Sequence, residues 1–212
     1  AVTDAVKVAN AAYQREGGLA GVSTGLIDMD KKLGGLHRSD LLILAGRPSM
    51  GKTSLATNVA FNIARAYKKG ITSSGEEGAV DGGVVGFFSL EMSADQLATR
   101  ILSEQSRIVA EDIRTGKMNA EKFRDFARSA RDLESLPLYI DDTPGLTIAA
   151  LRTRARRMKR RHQIGLIIVD YLQLLQGSGR GGESNRVQEI SEISRGLKTL
   201  AKELGLPVIA LS

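Results

Sequence analysis

Eight consecutive residues, Gly46, Arg47, Pro48, Ser49, Met50, Gly51, Lys52 and Thr53, set two glycines, a lysine and a threonine at the spacing of a phosphate-binding loop. Glycine lets backbone amides turn inward around phosphate oxygens, and the positive end of a following helix adds to that field. Lys52 would place its ammonium between the terminal phosphates of a nucleoside triphosphate. Thr53 offers a small hydroxyl to magnesium, which takes octahedral oxygen ligands and keeps several waters. Ser54, the next residue, is counted with the loop as nucleotide-binding. From typical residue frequencies such a match arises by chance in roughly one chain of this length in a hundred, before its setting is counted.

A magnesium nucleotide also calls for a carboxylate at the end of a neighbouring strand. Asp170 stands where Leu166-Ile167-Ile168-Val169 ends, a Walker B pattern, and is read with Thr53 as a metal ligand. Hydrolysis needs a group to activate or orient the attacking water, and Glu91 follows the apolar run Val84–Leu90 at its carboxyl end. Ser93 and Gln96 form a capping box of their own, which leaves Glu91 free to face the nucleotide. Glu91, Lys52 and Asp170 are therefore the candidate catalytic residues.

The elements that must position these groups follow from periodicity. Thr24 is expected to cap a short helix ending at Gly34-Gly35, and Asp40–Ala45 reads as a buried strand running directly into Gly46. From Ser54 to Tyr67 the residues Leu55, Val59 and Ile63 recur at helical spacing. The Gly-, Ser- and Glu-rich stretch Lys69–Gly83 reads as a mobile surface loop. Val84–Leu90 is a second buried strand, followed by a helix reaching about Ser106 and by helices near Ala110–Thr115 and Ala120–Leu133. Strands are expected at Pro137–Asp141, Leu166–Asp170 and Pro207–Leu211, and helices from the Thr147 cap to Arg161 and over Val187–Leu204. Short apolar strands alternating with helices give an α/β class: a mostly parallel sheet with helices on both faces and ligands at the carboxyl ends of the strands.

Composition sets limits around this core. The 212 residues carry 30 basic and 24 acidic groups, a net charge of +6, with 4% aromatic residues. A polyanionic partner is compatible with that balance, and single-strand binding would rest on phosphate contacts more than on stacking. There is no cysteine, which excludes disulfides and thiolate metal sites and fits a reducing cytoplasm. The apolar runs fall short of the roughly 20 residues that span a bilayer, so no membrane partner is expected.

The phosphate loop lies within a longer string, Gly34-Gly35-Leu36 through Leu41-Leu42-Ile43-Leu44-Ala45 to Thr53. With Ser89-Leu90-Glu91-Met92-Ser93, Ile140-Asp141-Asp142-Thr143-Pro144 and Val169-Asp170-Tyr171-Leu172-Gln173-Leu174, it closely resembles the bacterial DnaB replicative helicases over nearly the whole chain. That resemblance implies a RecA-like P-loop NTPase fold, ATP as substrate with Mg2+, a homo-hexameric ring, and travel on single-stranded DNA that unwinds duplex at the replication fork. It also implies a primase and a helicase loader as partners and a cytoplasmic location. By the same resemblance Glu91 matches the catalytic glutamate and Asp170 the Walker B aspartate, and residues 1–18 form a linker helix packing on an adjacent subunit, ahead of a core over residues 19–212. The stretch Lys69–Gly83 reads as an insertion. The family pattern continues past Ser212 into a glutamine sensor, a DNA loop and an arginine finger, so this chain alone is expected to bind ATP with magnesium and to hydrolyse it weakly.

For DNA, the loop Gly177–Arg186 joins backbone freedom to two guanidinium groups, and Arg180, Asn185 and Arg186 are its expected contacts. The basic helix Leu151–His162 is the denser charge cluster, but Ile148, Leu151, Ala155 and Met158 form its buried stripe and the arginines take the outer face. A RecA-type ATPase of another class, a recombination factor or a ring-forming signalling ATPase, would share the phosphate loop and stands as the alternative.

Overall fold

Backbone hydrogen bonds join the apolar runs into one parallel sheet. The computed structural model describes residue 6 and residues 19–72, 75–175 and 186–212. The expected linker helix, residue 6 apart, and the loop bearing Arg180 and Asn185 lie outside these residues. In chain order the strands are β1 (Leu41–Leu44), β2 (Lys68–Ile71), β3 (Glu77–Asp81), β4 (Val85–Ser89), β5 (Leu138–Asp141), β6 (Leu166–Asp170) and β7 (Val208–Leu211). The helices are α1 (Ile27–Leu33), α2 (Lys52–Arg65), α3 (Ala94–Ser106), α4 (Ala110–Thr115), α5 (Ala120–Glu134), α6 (Ile148–His162) and α7 (Arg186–Leu204). Five strands form the sheet in the order β1-β7-β6-β4-β5, every neighbour parallel.

Every residue of β4, β6 and β7 is buried, so these strands are continuous apolar runs. Side-chain alternation sorts them onto two faces. Val85 and Phe87 of β4, Leu166 and Ile168 of β6, and Ile209 and Leu211 of β7 pack with Ala56, Val59, Ile63, Leu97 and Ile101 of α2 and α3. Phe88, Ile167, Val169, Val208 and Ala210 point the other way, against Leu151 and Ala155 of α6 and Ile193, Leu197 and Leu200 of α7. Each fully buried side chain of this size contributes about 1.5–3 kcal/mol of transfer free energy, so the three central strands carry much of the core.

Helix boundaries follow local chemistry. The capping box before α3 is complete: the Ser93 hydroxyl accepts from the Gln96 amide, and the Gln96 side chain accepts from the Ser93 amide. Thr147 caps α6 by accepting from the Ala150 amide. Among the described residues no helix is long and apolar enough to cross a membrane.

Three expectations need correction. Thr24 does not cap α1, whose N-cap is Leu26 without a side-chain bond. Thr24 is fully buried and grips Asp30 inside the helix, its amide and hydroxyl donating to the carboxylate at 2.8 and 2.7 Å. A buried carboxylate able to accept several bonds competes successfully for the threonine. The second correction concerns β1, which is an edge strand with Ile43 47% exposed rather than a buried one.

The third is the stretch read as a mobile loop, which contains an antiparallel hairpin of β2 and β3. Its tip is closed by the Thr72 amide and hydroxyl, both donating to the Glu76 carbonyl. Lys69 faces Glu77 at 3.0 Å across it. That pair is exposed and worth at most about 1 kcal/mol, so ladder bonds and turn chemistry carry the hairpin. Glycine and charge hid these features from a reading that relies on apolar alternation.

The base of the hairpin is fixed by Gly82, whose φ is +55° and where a Cβ would come within 2.4 Å of the Ile63 carbonyl oxygen and 2.5 Å of the Tyr67 amide nitrogen. Gly75 at the tip also has positive φ but open space around it. Gly82→Ala should therefore lose roughly 1–3 kcal/mol of stability, and Gly75→Ala about 1 kcal/mol or less. Urea titration of both variants checks this, and equal losses would contradict the close approach.

Candidate nucleotide site

Chain reversal after β1 builds the phosphate loop. Ser49 and Gly51 both adopt positive φ, +64° and +83°, and α2 begins at Lys52 straight after them. Residues in this left-handed region let successive amides of a short turn converge, as an anion-binding loop requires. The entry of the loop is stitched to β7: the Gly46 amide donates to the Ser212 carbonyl at 3.2 Å and the Ser212 amide to the Leu44 carbonyl at 3.0 Å. Lys52 arches over the loop and donates to the Gly46 and Arg47 carbonyls at 2.6 and 3.1 Å. Beside it a cavity of about 530 Å³ is lined by Leu44–Arg47, Met50–Lys52 and Leu55, on the β1 side of the loop.

Sheet register brings the acids to the same end. Ser89, the last residue of β4, pairs with Asp170, the last residue of β6, and the Leu90 amide donates to the Asp170 carbonyl at 2.8 Å. Asp170 is 3% exposed. Burial pushes its carboxyl above the usual carboxylate range and the nearby Glu91 pushes it further, while the neighbouring Thr53 hydroxyl and the charges of Arg100 and Lys52 act against the rise. Thr53, Lys52, Glu91 and Asp170, four residues singled out in the sequence, are thus neighbours.

Glu91 is exposed in the turn between β4 and α3. Buried Ser89 shapes that turn by donating its hydroxyl to the Met92 carbonyl at 2.7 Å. The helix that follows lies on α2, where Glu104 accepts from Asn58 at 2.9 Å and from Thr57 at 3.4 Å.

Arg100 escaped the sequence reading. It stands one turn before Glu104 on α3 and contributes positive charge at Asp170. The capping box at Ser93–Gln96 fixes the phase of α3, and that phase, with Leu97 and Ile101 buried, is the signal that sets Arg100 and Glu104 on one stripe.

Of the expected DNA contacts, Arg180 and Asn185 lie outside the described residues, and Arg186 is described only as the first residue of α7. The basic helix α6 spends much of its charge internally. Arg152 and Arg156 bind Glu203 of α7 at 3.3 and 2.9 Å, Arg154 binds Asp141 at 2.9 Å, and Lys159 donates to the Ile164 carbonyl at 2.8 Å. Those bonds dock the helix and agree with reading it as a structural face.

A phosphate loop entering α2, with an acid at the end of a strand two places away in a parallel sheet, is common to many nucleotide-binding proteins. Comparison with known families narrows it: the family described as the DnaB-like helicase C terminal domain matches residues 21–212. The chain belongs to that family.

Relatives of this DnaB-like domain include the replicative DNA helicase DnaB of Rickettsia conorii, 50% identical over 212 residues that cover 100% of this chain and 42% of that protein. The DnaB of Geobacillus stearothermophilus is 45% identical over 200 residues, 94% of this chain and 41% of the relative. The chain therefore spans less than half the length of these curated relatives. Among solved structures, one described as an ATPase domain superposes with a TM-score of 0.85 at 28% identity, covering 100% of this chain and 70% of that one. A DnaB-like replicative helicase, described with its interactions with primase, gives 0.78 at 27% identity, covering 98% and 47%. The sheet and helices match the RecA-like ATPase domain of DnaB-like helicases.

Asp141 ends β5, its side chain only 9% exposed. Burial raises its pKa, but hydrogen bonds from Thr143 and Arg154 outweigh burial and hold it below the ordinary 3.8. A depressed folded-state pKa contributes stability that is fully present above 3.8 and lost as pH falls through the folded value. Asp141→Asn should cost roughly 1–3 kcal/mol at pH 7, and the gap to the wild type should close in acid. Thermal unfolding across pH checks this; a gap constant down to pH 2 would contradict it.

Proposed function

We propose that this chain is the motor of a replicative helicase, a homo-hexameric ring that hydrolyses ATP to travel along single-stranded DNA and unwind the duplex at the replication fork. The observation that carries this reading is the meeting of Lys52, Thr53, Glu91 and Asp170 at one end of the sheet in a chain of the DnaB-like family. A recombination or signalling ATPase of the same fold is disfavoured by the family match over residues 21–212.

In this reading residues 46–54 cradle the phosphates, and the Lys52 ammonium exchanges the Gly46 and Arg47 carbonyls for the terminal phosphate oxygens. Thr53 and Asp170 would hold Mg2+. Their chemistry fits: a hydroxyl beside a carboxylate, with the carboxylate desolvated so that added positive charge stabilises its ionised form. Among the described residues no group of three or more acids or histidines could cage a metal alone, and an ion bound through one carboxylate and the substrate's phosphates needs no such cage. Magnesium would neutralise charge on the β- and γ-phosphates. Glu91 orients the attacking water and accepts its proton.

DNA would be held by Arg180, Asn185 and Arg186 through its phosphates, without reading bases. Primase is the partner named for a structural neighbour; a helicase loader and a cytoplasmic place of work follow from the family resemblance.

Lys52→Ala and Glu91→Gln test the site together, with nucleotide affinity and hydrolysis measured for each. Lys52→Ala should abolish binding or turnover. Glu91→Gln should keep affinity for magnesium nucleotide and hydrolyse it about 10²- to 10⁴-fold more slowly. Turnover near the wild-type rate in either variant would move the chemistry elsewhere, and strand separation by the ring distinguishes a helicase from an ATPase that never handles DNA.

A further inference from the structure

The string Ile140-Asp141-Asp142-Thr143-Pro144 has no part in the chemistry proposed above, yet it lies beside it. β5 pairs with β4, Asp141 opposite Phe88, so the chain leaves β5 next to the turn that carries Glu91 from β4 into α3. Asp141 is turned inward and fixed, accepting from Arg154 at 2.9 Å and from the Thr143 amide at 3.1 Å. Exposed Asp142 reaches the other way, and its Oδ2 accepts from the Ala94 amide at 2.8 Å.

Ala94 is the first residue of α3, where helix amides lack intrahelical partners. The capping box takes care of the Ser93 and Gln96 amides. It is local, however, and holds the start of the helix only to itself. Asp142 comes from 48 residues away in sequence and ties that start to the sheet. On the strand side, the Ser89 hydroxyl donates to the Met92 carbonyl. Glu91 is thus spanned between two anchors, Ser89 on β4 and the Ala94–Asp142 bond on β5. A general base must meet its water within hydrogen-bond reach, so the second anchor sets how far Glu91 extends.

We propose that Asp142 is a positioning residue for hydrolysis: by tying Ala94 to the exit of β5, it places Glu91 toward the terminal phosphate. This rests on the reading of Glu91 as the hydrolytic group. In the full-length protein carrying this domain, Asp142→Ala should lower kcat for ATP hydrolysis about tenfold or more, because small misplacements of a reacting group are costly in rate. Affinity for magnesium nucleotide should stay within about twofold, since the cradle is built on other residues. Asp142→Asn keeps an acceptor oxygen and should recover most of the rate, which a role resting on charge would not allow.

Hydrolysis at the wild-type rate in Asp142→Ala, equal losses in the Ala and Asn variants, or a parallel loss of nucleotide affinity would each overturn the proposal. Glu91→Gln measured alongside separates the two readings. Hydrolysis lost in Glu91→Gln but kept in Asp142→Ala overturns the tie alone; hydrolysis kept in both overturns the role of Glu91 and the tie with it.

Discussion

The ladder between β4 and β6 is the constraint on which the rest depends. Both strands are buried on both faces, and their parallel register runs from Val85 opposite Leu166 to Ser89 opposite Asp170. Slipping that register by one residue would turn every side chain of a strand to the wrong face, against helices packed for the other set. Because the register cannot slip, the carboxyl ends of the two strands coincide. β7 extends the same order to β1, and the phosphate loop emerges at that end too. The apolar core is therefore what brings Asp170, Glu91 and Lys52 together, although none of the three contributes to it.

That arrangement has a cost at Asp170. An ionised carboxylate at 3% exposure is poorly solvated, and Glu91 beside it adds repulsion. Lys52, Arg100 and the Thr53 hydroxyl offset part of this. A site that leaves negative charge incompletely compensated is suited to take up a cation.

The parts of the structure legible in the sequence were those where the backbone dictates residue type. A phosphate loop needs glycine at a positive-φ position and a lysine at the helix start, so Gly51-Lys52 could be read directly. The capping box at Ser93–Gln96 and the runs of β4, β6 and β7 are similarly written in composition. Contacts between distant segments were not legible. Thr24 looked like a cap because nothing local shows that Asp30 folds back to meet it. The β2–β3 hairpin has no buried face and so no apolar alternation to betray it. Arg100 and Asp142 act through space, across α3 and across the β4–β5 pair, and only the packed sheet reveals their targets.

The most direct test of the assembled site is whether magnesium acts through Asp170. Nucleotide affinity is titrated with magnesium and with a chelator, in the wild type and in Asp170→Asn, a change that preserves shape and removes the charge. If Asp170 and Thr53 hold the ion, magnesium strengthens binding in the wild type and loses most of that effect in the variant, while the chelator values stay alike. An undiminished magnesium effect in Asp170→Asn would contradict the placement of the metal at the end of β6.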